Sequence, residues 1–198
     1  MSVKDNFRNP KGLIGRVMVT TMNWGHSPMA KWGFEQFEIP EKAGILDIGC
    51  GGGYNLKRFL KACPEGRVVG VDISEESVKK SIAVNKKEIG RRCKVVQGSV
   101  EKLPLKDHVL DLATAFETVY FWPDPAENFK EVHRVLKTGG HFAVINDPGD
   151  PDKHWEDMIP GMKAYTAEDI AAFMAGAGFT DITITTKKNM FCVNGRAE

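Results

Sequence analysis

Between residues 45 and 55 the chain reads ILDIGCGGGYN, an apolar run that breaks directly into four glycines. The run before the break fits a strand covered on both faces. The stretch after it, YNLKRFLKAC (54–63), fits a helix stopped before Pro64 and Gly66. Glycine weakens either element, so bare backbone at the junction serves a tight turn or lets a ligand reach main-chain N–H groups. Strand, glycine loop and helix in that order constrain the chain strongly. If further such units follow, the fold must be a parallel sheet wrapped by helices.

Further units do follow. RVVGVDI (67–73) reads as the second strand, and Ser74 as the N-cap of a helix with Glu75 and Glu76 in its first turn. That helix presents Val78, Ile82 and Ile89 on one side. KVVQGSV (94–100), VLDLATAF (109–116) and HFAVIND (141–147) supply three more strands. The segment 123–137 predicts a helix with Phe129, Val132, Val135 and Leu136 on one face, stopped at Gly139-Gly140. A helix is expected over 167–177, carrying Ile170, Phe173, Met174 and Ala177. TDITITTK and NMFCVNGRA then lie so close together that they must form a hairpin, which makes the last strand antiparallel to its neighbour. The expected fold is α/β, with seven strands and helices on both faces.

At 198 residues the chain is long enough for one core, and a single domain is expected. Within it, residues 1–40 differ from 41–198. Leu13, Ile14, Val17, Met18 and Met22 form a helical stripe, and NWGHSPMAKWGFEQF adds two tryptophans and two phenylalanines. A helical cap over the strand ends, where open α/β sheets bind ligands, is the expectation for this segment.

Composition closes several other routes. A hydrophobic fraction of 42% with 27% charged residues belongs to an ordinary globular chain. No run approaches the roughly 18 apolar residues of a membrane helix, and the N-terminal segment has no secretory h-region, so cytoplasmic residence is expected. A net charge of +1 gives no push towards nucleic acid or a membrane surface. The basic residues Lys79, Lys80, Lys86, Lys87, Arg91, Arg92 and Lys94 read as a solvated face. Cys50, Cys63, Cys93 and Cys192 are widely spaced, so neither a metal site nor a disulfide framework is expected.

The acids around the glycine loop narrow the ligand. Asp72 closes the second strand, where a carboxylate can take both ribose hydroxyls. A dinucleotide fingerprint would need a third glycine where Tyr54 stands, and no GK[ST] follows for a P-loop. Asp47, two residues before Gly49, would repel phosphate and attract an ammonium group. A ligand with a ribose, no phosphate and a positive charge near Asp47 satisfies all three.

At this point the sequence resembles the class I S-adenosylmethionine-dependent methyltransferases, and their small-molecule "type 11" branch most closely. The matching stretches are ILDIGCGGG (45–53), VVGVDIS (68–74), GSVEKLPL (98–105), FETVYFWPD (116–124) and LKTGGHFAV (136–144), in the family's order and spacing. The resemblance implies a Rossmann-like sheet with an inserted antiparallel last strand. It implies S-adenosyl-L-methionine as cofactor and S-adenosyl-L-homocysteine as product. Gly49, Gly51 and the main chain around Cys50 would then face the methionine part, with Asp47 fixing its ammonium directly or through water. Asp72 would hold the ribose and Ile73 would lie against the adenine. Ser99 and Val100 would frame the adenine edge, Ser99 standing where the family usually has Asp. Phe116 and Glu117 would pass beneath the sulfonium. Structural readings stand beside these: Asp72 as a helix-entry cap, Asp47 bonded to loop N–H groups, and Ile73 as core.

Methyl transfer from a sulfonium is an in-line displacement on an activated donor, so positioning is the main requirement and no conspicuous triad is needed. NPPY or DPPY, the mark of amide and exocyclic-amine N-methyltransferases, is absent, as is a Pro-Cys nucleophile. Tyr120, His26, Glu117 and His154 are candidate acid/base or orienting groups, with Tyr120, just after the fourth strand, and His26, in the expected cap, the catalytic candidates. Trp24, Trp32, Phe34, Phe121 and Trp122 suggest a small apolar, ring-bearing acceptor, or packing within a lid. Two alternatives remain: a non-catalytic S-adenosylmethionine-binding module that regulates a partner, and an NAD-type dehydrogenase, against which Tyr54 and the C-terminal hairpin argue.

Overall fold

A computed structural model of the chain describes residues 27–147, 157, 159 and 161–198. After a short helix α1 (Ser27–Gly33), it alternates β1 (Gly44–Ile48), α2 (Tyr54–Ala62), β2 (Arg67–Asp72), α3 (Glu75–Val84) and β3 (Cys93–Gln97). There follow β4 (Leu110–Phe116), α4 (Pro125–Val135), β5 (Leu136–Asn146), α5 (Ala167–Gly176), β6 (Phe179–Lys187) and β7 (Met190–Ala197). The strands form one seven-stranded sheet in the order β3-β2-β1-β4-β5-β7-β6. Pairs from β3 to β5 are parallel, while β7 runs antiparallel to both β5 and β6. The sheet and its C-terminal hairpin are those the sequence predicts.

Successive residues of β1 point to opposite faces, as pleating requires. Ile45 packs with Leu56, Phe59 and Leu60 of α2, and Leu46 joins the larger core that contains Phe129 and Val132 of α4 and Ile170 and Met174 of α5. Chain order reverses at β1, whose neighbours are β2 and β4. A crevice therefore opens beyond the carboxyl ends of these strands, and the loops after β1, β2 and β4 all reach it.

Two helices differ from the sequence expectation, each for a packing reason. The inner face of α3 is Ser77, Ser81 and, at its C-cap, Asn85, all buried, while Ile82 is exposed. This face packs against the glycine loop, with the Cys50 thiol against Ser81 and the Asp72 carboxylate against Ser77. A Cβ on Gly53 would lie 2.2 Å from Ser81 Oγ and 2.7 Å from Asn85 Nδ2. Asn85 Nδ2 donates to the Gly53 carbonyl at 2.9 Å. Small polar residues fit a surface of bare backbone, so the Val78/Ile82/Ile89 stripe is not the buried one. Helix α4 ends at Val135, before Gly139-Gly140, because Leu136 already pairs with Leu110 of β4.

The aromatic segment 32–37 packs onto the sheet. Trp32 is buried with Ala143, Ile145 and Cys192. Phe34 lies 4.5 Å from Phe59 and 5.6 Å from Phe116, centroid to centroid. These two aromatics serve packing, the second of the readings open to them. The stripe 13–22, Trp24, His26 and His154 lie outside the described residues.

Candidate active site

The crevice at the strand ends holds a cavity of about 310 Å³, the size of a small-molecule site. Its floor is the glycine loop. Gly49 has φ +73° and its missing side chain leaves room for Thr118, whose Cγ2 would be 2.4 Å from a Cβ there. Gly51, at φ +50°, has nothing within 4 Å of where its Cβ would stand, so its bare backbone faces open space. The loop is held from below by the N–H groups of Gly49 and Cys50, which donate to Val71 O at 2.8 and 3.1 Å.

Asp72 ties three elements together. One carboxylate oxygen accepts the Gly51 N–H at 2.8 Å and the other accepts the Ser74 N–H at 2.8 Å. It thus caps the approach to α3, as its structural reading had it, and at the same time lines the cavity. Burial raises its pKa, opposed by the N–H groups of Ser74 and Gly51. The Ser77 side chain is a third donor to this carboxylate, which leaves one of its roughly four lone-pair sites for a ligand.

Ile73, Ser99, Val100, Phe116 and Glu117 also line the cavity, with Gly49, Cys50 and Gly51. The Ser99 hydroxyl donates to Glu101 at 2.8 Å. Ile73 is 37% exposed, against its reading as core. The Cys50 thiol is buried, and desolvation with the charges of Asp72 and Asp47 pushes its pKa well up, which leaves it a thiol and no nucleophile.

Asp47 sits beneath the loop and is not among the lining residues. It is 2% exposed and accepts the Thr114 hydroxyl at 2.8 Å. Burial pushes its carboxyl up to about 7, the Thr114 bond opposing. The folded value lies above that of an unfolded aspartate, so its contribution to stability is complete below about pH 4 and is lost as pH rises through 7. The upper bound is about 4 kcal/mol. Asp47→Asn keeps an oxygen for Thr114 and removes the titration. Its melting temperature is therefore expected to gain on wild type between pH 5 and pH 7 and to level off by pH 8. Parallel melting curves over that range would show that Asp47 titrates as an ordinary carboxylate.

Tyr120 lies in a single 3-10 turn (Val119–Phe121) after β4 and does not line the cavity. Its hydroxyl hydrogen-bonds the Glu117 carboxylate. Burial, then the charges of Glu117 and Asp147, push its pKa well above the usual phenol value, so it remains protonated and donates. Met29, Ala30, Asn55, Arg58, Ser77 and Thr118 complete much of the wall and were not picked out from sequence. Asn55 and Arg58 share a helical face at spacing three, a signal that only the position of α2 makes legible. Among the described residues no group of His, Cys, Asp or Glu could hold a metal ion, and no helix is long and apolar enough to cross a membrane.

Comparison with known proteins gives a consistent answer. The sequence family described as "Methyltransferase domain" matches residues 46–144. The chain is 32% identical over 157 residues to "Uncharacterized methyltransferase YdaC" of Bacillus subtilis (strain 168), covering 79% of this chain and 82% of that one. It is 32% identical over 150 residues to 24-methylenesterol C-methyltransferase 2 of Arabidopsis thaliana, covering 68% of this chain but only 41% of that longer protein. The crystal structure of a SAM dependent methyltransferase from Aquifex aeolicus superposes with a TM-score of 0.75 at 20% identity, over 92% of this chain and 98% of that one. That likeness is one of fold.

Proposed function

This chain belongs to the class I S-adenosylmethionine-dependent methyltransferase family, and from that premise we propose that it methylates a small, largely apolar acceptor held in the crevice beyond β1 and β4. The observation that carries the reading is the pairing of Asp72 with the open backbone of Gly51 at one cavity wall. The residues present fit the donor. Asp72 keeps acceptor capacity for ribose hydroxyls, Gly51 leaves room for the methionine end, and Ile73, Ser99 and Val100 form a wall suited to the adenine. When bound, S-adenosylmethionine supplies a methyl group already activated on a sulfonium.

What remains for the chain is to bind, orient and exclude water. Asp72 and the loop supply polar contacts, while Met29, Ala30, Phe116, Phe121 and Trp122 add apolar surface to the lining. Such a wall suits an apolar acceptor, and a sterol C-methyltransferase stands among the relatives. Met29 and Ala30 come from the 1–40 segment, which supports its reading as a cap that closes over the site. Asp47, from beneath the loop, would act on the donor's ammonium only through intervening groups.

The test is turnover. Purified protein incubated with methyl-labelled S-adenosylmethionine and an organic extract of a bacterial cell should form S-adenosylhomocysteine and pass label into the organic-soluble fraction. Binding of the donor with no S-adenosylhomocysteine formed would support a regulatory binding module instead. Label passing only into water-soluble products would overturn the apolar acceptor.

A further inference from the structure

Glu117 combines three features. It has φ +56°, a left-handed backbone that a glutamate adopts only at a cost. Its carboxylate is fixed twice, by the Asp147 N–H at 2.6 Å and by the Tyr120 hydroxyl. It lines the same cavity as Asp72. The strand order β2-β1-β4 sets these two carboxylates on opposite flanks of the glycine loop, with Thr118, the residue after Glu117, packed against Gly49. A ligand with its ribose on Asp72 and its amino-acid end along the loop brings its central sulfur to the Glu117 side.

We propose that Glu117, held by Tyr120, is the residue by which this site distinguishes the cationic methyl donor from the neutral product. The proposal rests on the reading of the cavity as the donor site. S-adenosylmethionine and S-adenosylhomocysteine share the ribose, the adenine, the carboxylate and the ammonium, and they differ in the sulfonium charge and its methyl group. Asp72 and the loop therefore bind both alike. A fixed carboxylate near the sulfur favours the donor and lets the product go once the charge has left. Tyr120 is a positioning residue here. Its phenol stays protonated and acts only by aiming the carboxylate.

Calorimetry with S-adenosylmethionine and S-adenosylhomocysteine on wild type, Glu117→Gln and Tyr120→Phe tests this, with melting curves to establish folding. The ratio of the product's Kd to the donor's should fall about tenfold in Glu117→Gln, with the affinity for S-adenosylhomocysteine little changed. Tyr120→Phe should shift the ratio in the same direction by a smaller factor, and it carries the test if Glu117→Gln does not fold. An unchanged ratio overturns the proposal. This holds if both affinities fall together, which would place Glu117 on the shared ammonium, and equally if neither moves. Wild-type protein that binds neither ligand would instead remove the donor-site reading on which the proposal stands.

Discussion

Asp72→Ala is expected to weaken S-adenosylmethionine binding by about 2 kcal/mol, roughly 30-fold, through lost charge-assisted bonds to the ribose. The structure adds a second consequence. Because Asp72 also accepts the Gly51 and Ser74 N–H groups, the alanine leaves one part-buried and one buried donor to find other partners. A stability loss of about 1–3 kcal/mol should accompany the binding loss. Asp72→Asn separates the two effects. It keeps an oxygen for one N–H and much of the fold, but it loses the charge that strengthens the ribose contacts. Calorimetry and melting curves on both variants decide the matter. Unchanged affinity in a folded alanine variant would take Asp72 out of the site.

The loop glycines should separate stability from binding in the same way. Gly53→Ala places a Cβ 2.2 Å from Ser81 Oγ and 2.8 Å from Ser81 Cα, at φ +77°. Neither the helix backbone nor the buried Asn85 can yield easily, so a loss of more than about 3 kcal/mol is expected, enough to abolish much of an ordinary domain's stability. Gly51→Ala meets no atom within 4 Å and carries only the strain of φ +50°, on the order of 1 kcal/mol. Its methyl group projects into the cavity, so the chain should fold and bind S-adenosylmethionine poorly. Equal melting temperatures for the two variants would contradict this division of labour.

The sheet was legible because its signals are local: apolar runs, turn residues and the N-cap at Ser74, whose hydroxyl accepts the Ser77 N–H at 3.3 Å. The cavity wall was largely legible because its residues sit at strand ends, where a motif fixes their position in the fold. What stayed hidden depends on contacts between distant residues. Helix α3 looks amphipathic through Val78 and Ile82, yet its partner is the glycine loop, where Gly53 leaves room only for small polar residues such as Ser81. Asp47 reads as a ligand-facing acid, but Thr114, far along the chain, takes its carboxylate beneath the loop. The positive φ of Glu117 and its bond to Tyr120 leave no mark in the sequence, so Tyr120 looked the better candidate for chemistry than the carboxylate it serves. Trp32 and Phe34 read either as acceptor-facing or as packing aromatics, and only the sheet shows what they cover.

The central claim is that the crevice beyond β1 and β4 is a site for S-adenosylmethionine rather than for a dinucleotide. Calorimetric titration of the ligand-free chain with S-adenosylmethionine and, separately, with NAD tests it most directly. Saturable binding of one S-adenosylmethionine per chain, weakened in Asp72→Ala and with no heat from NAD, is the predicted result. Saturable binding of NAD with none of S-adenosylmethionine would contradict it.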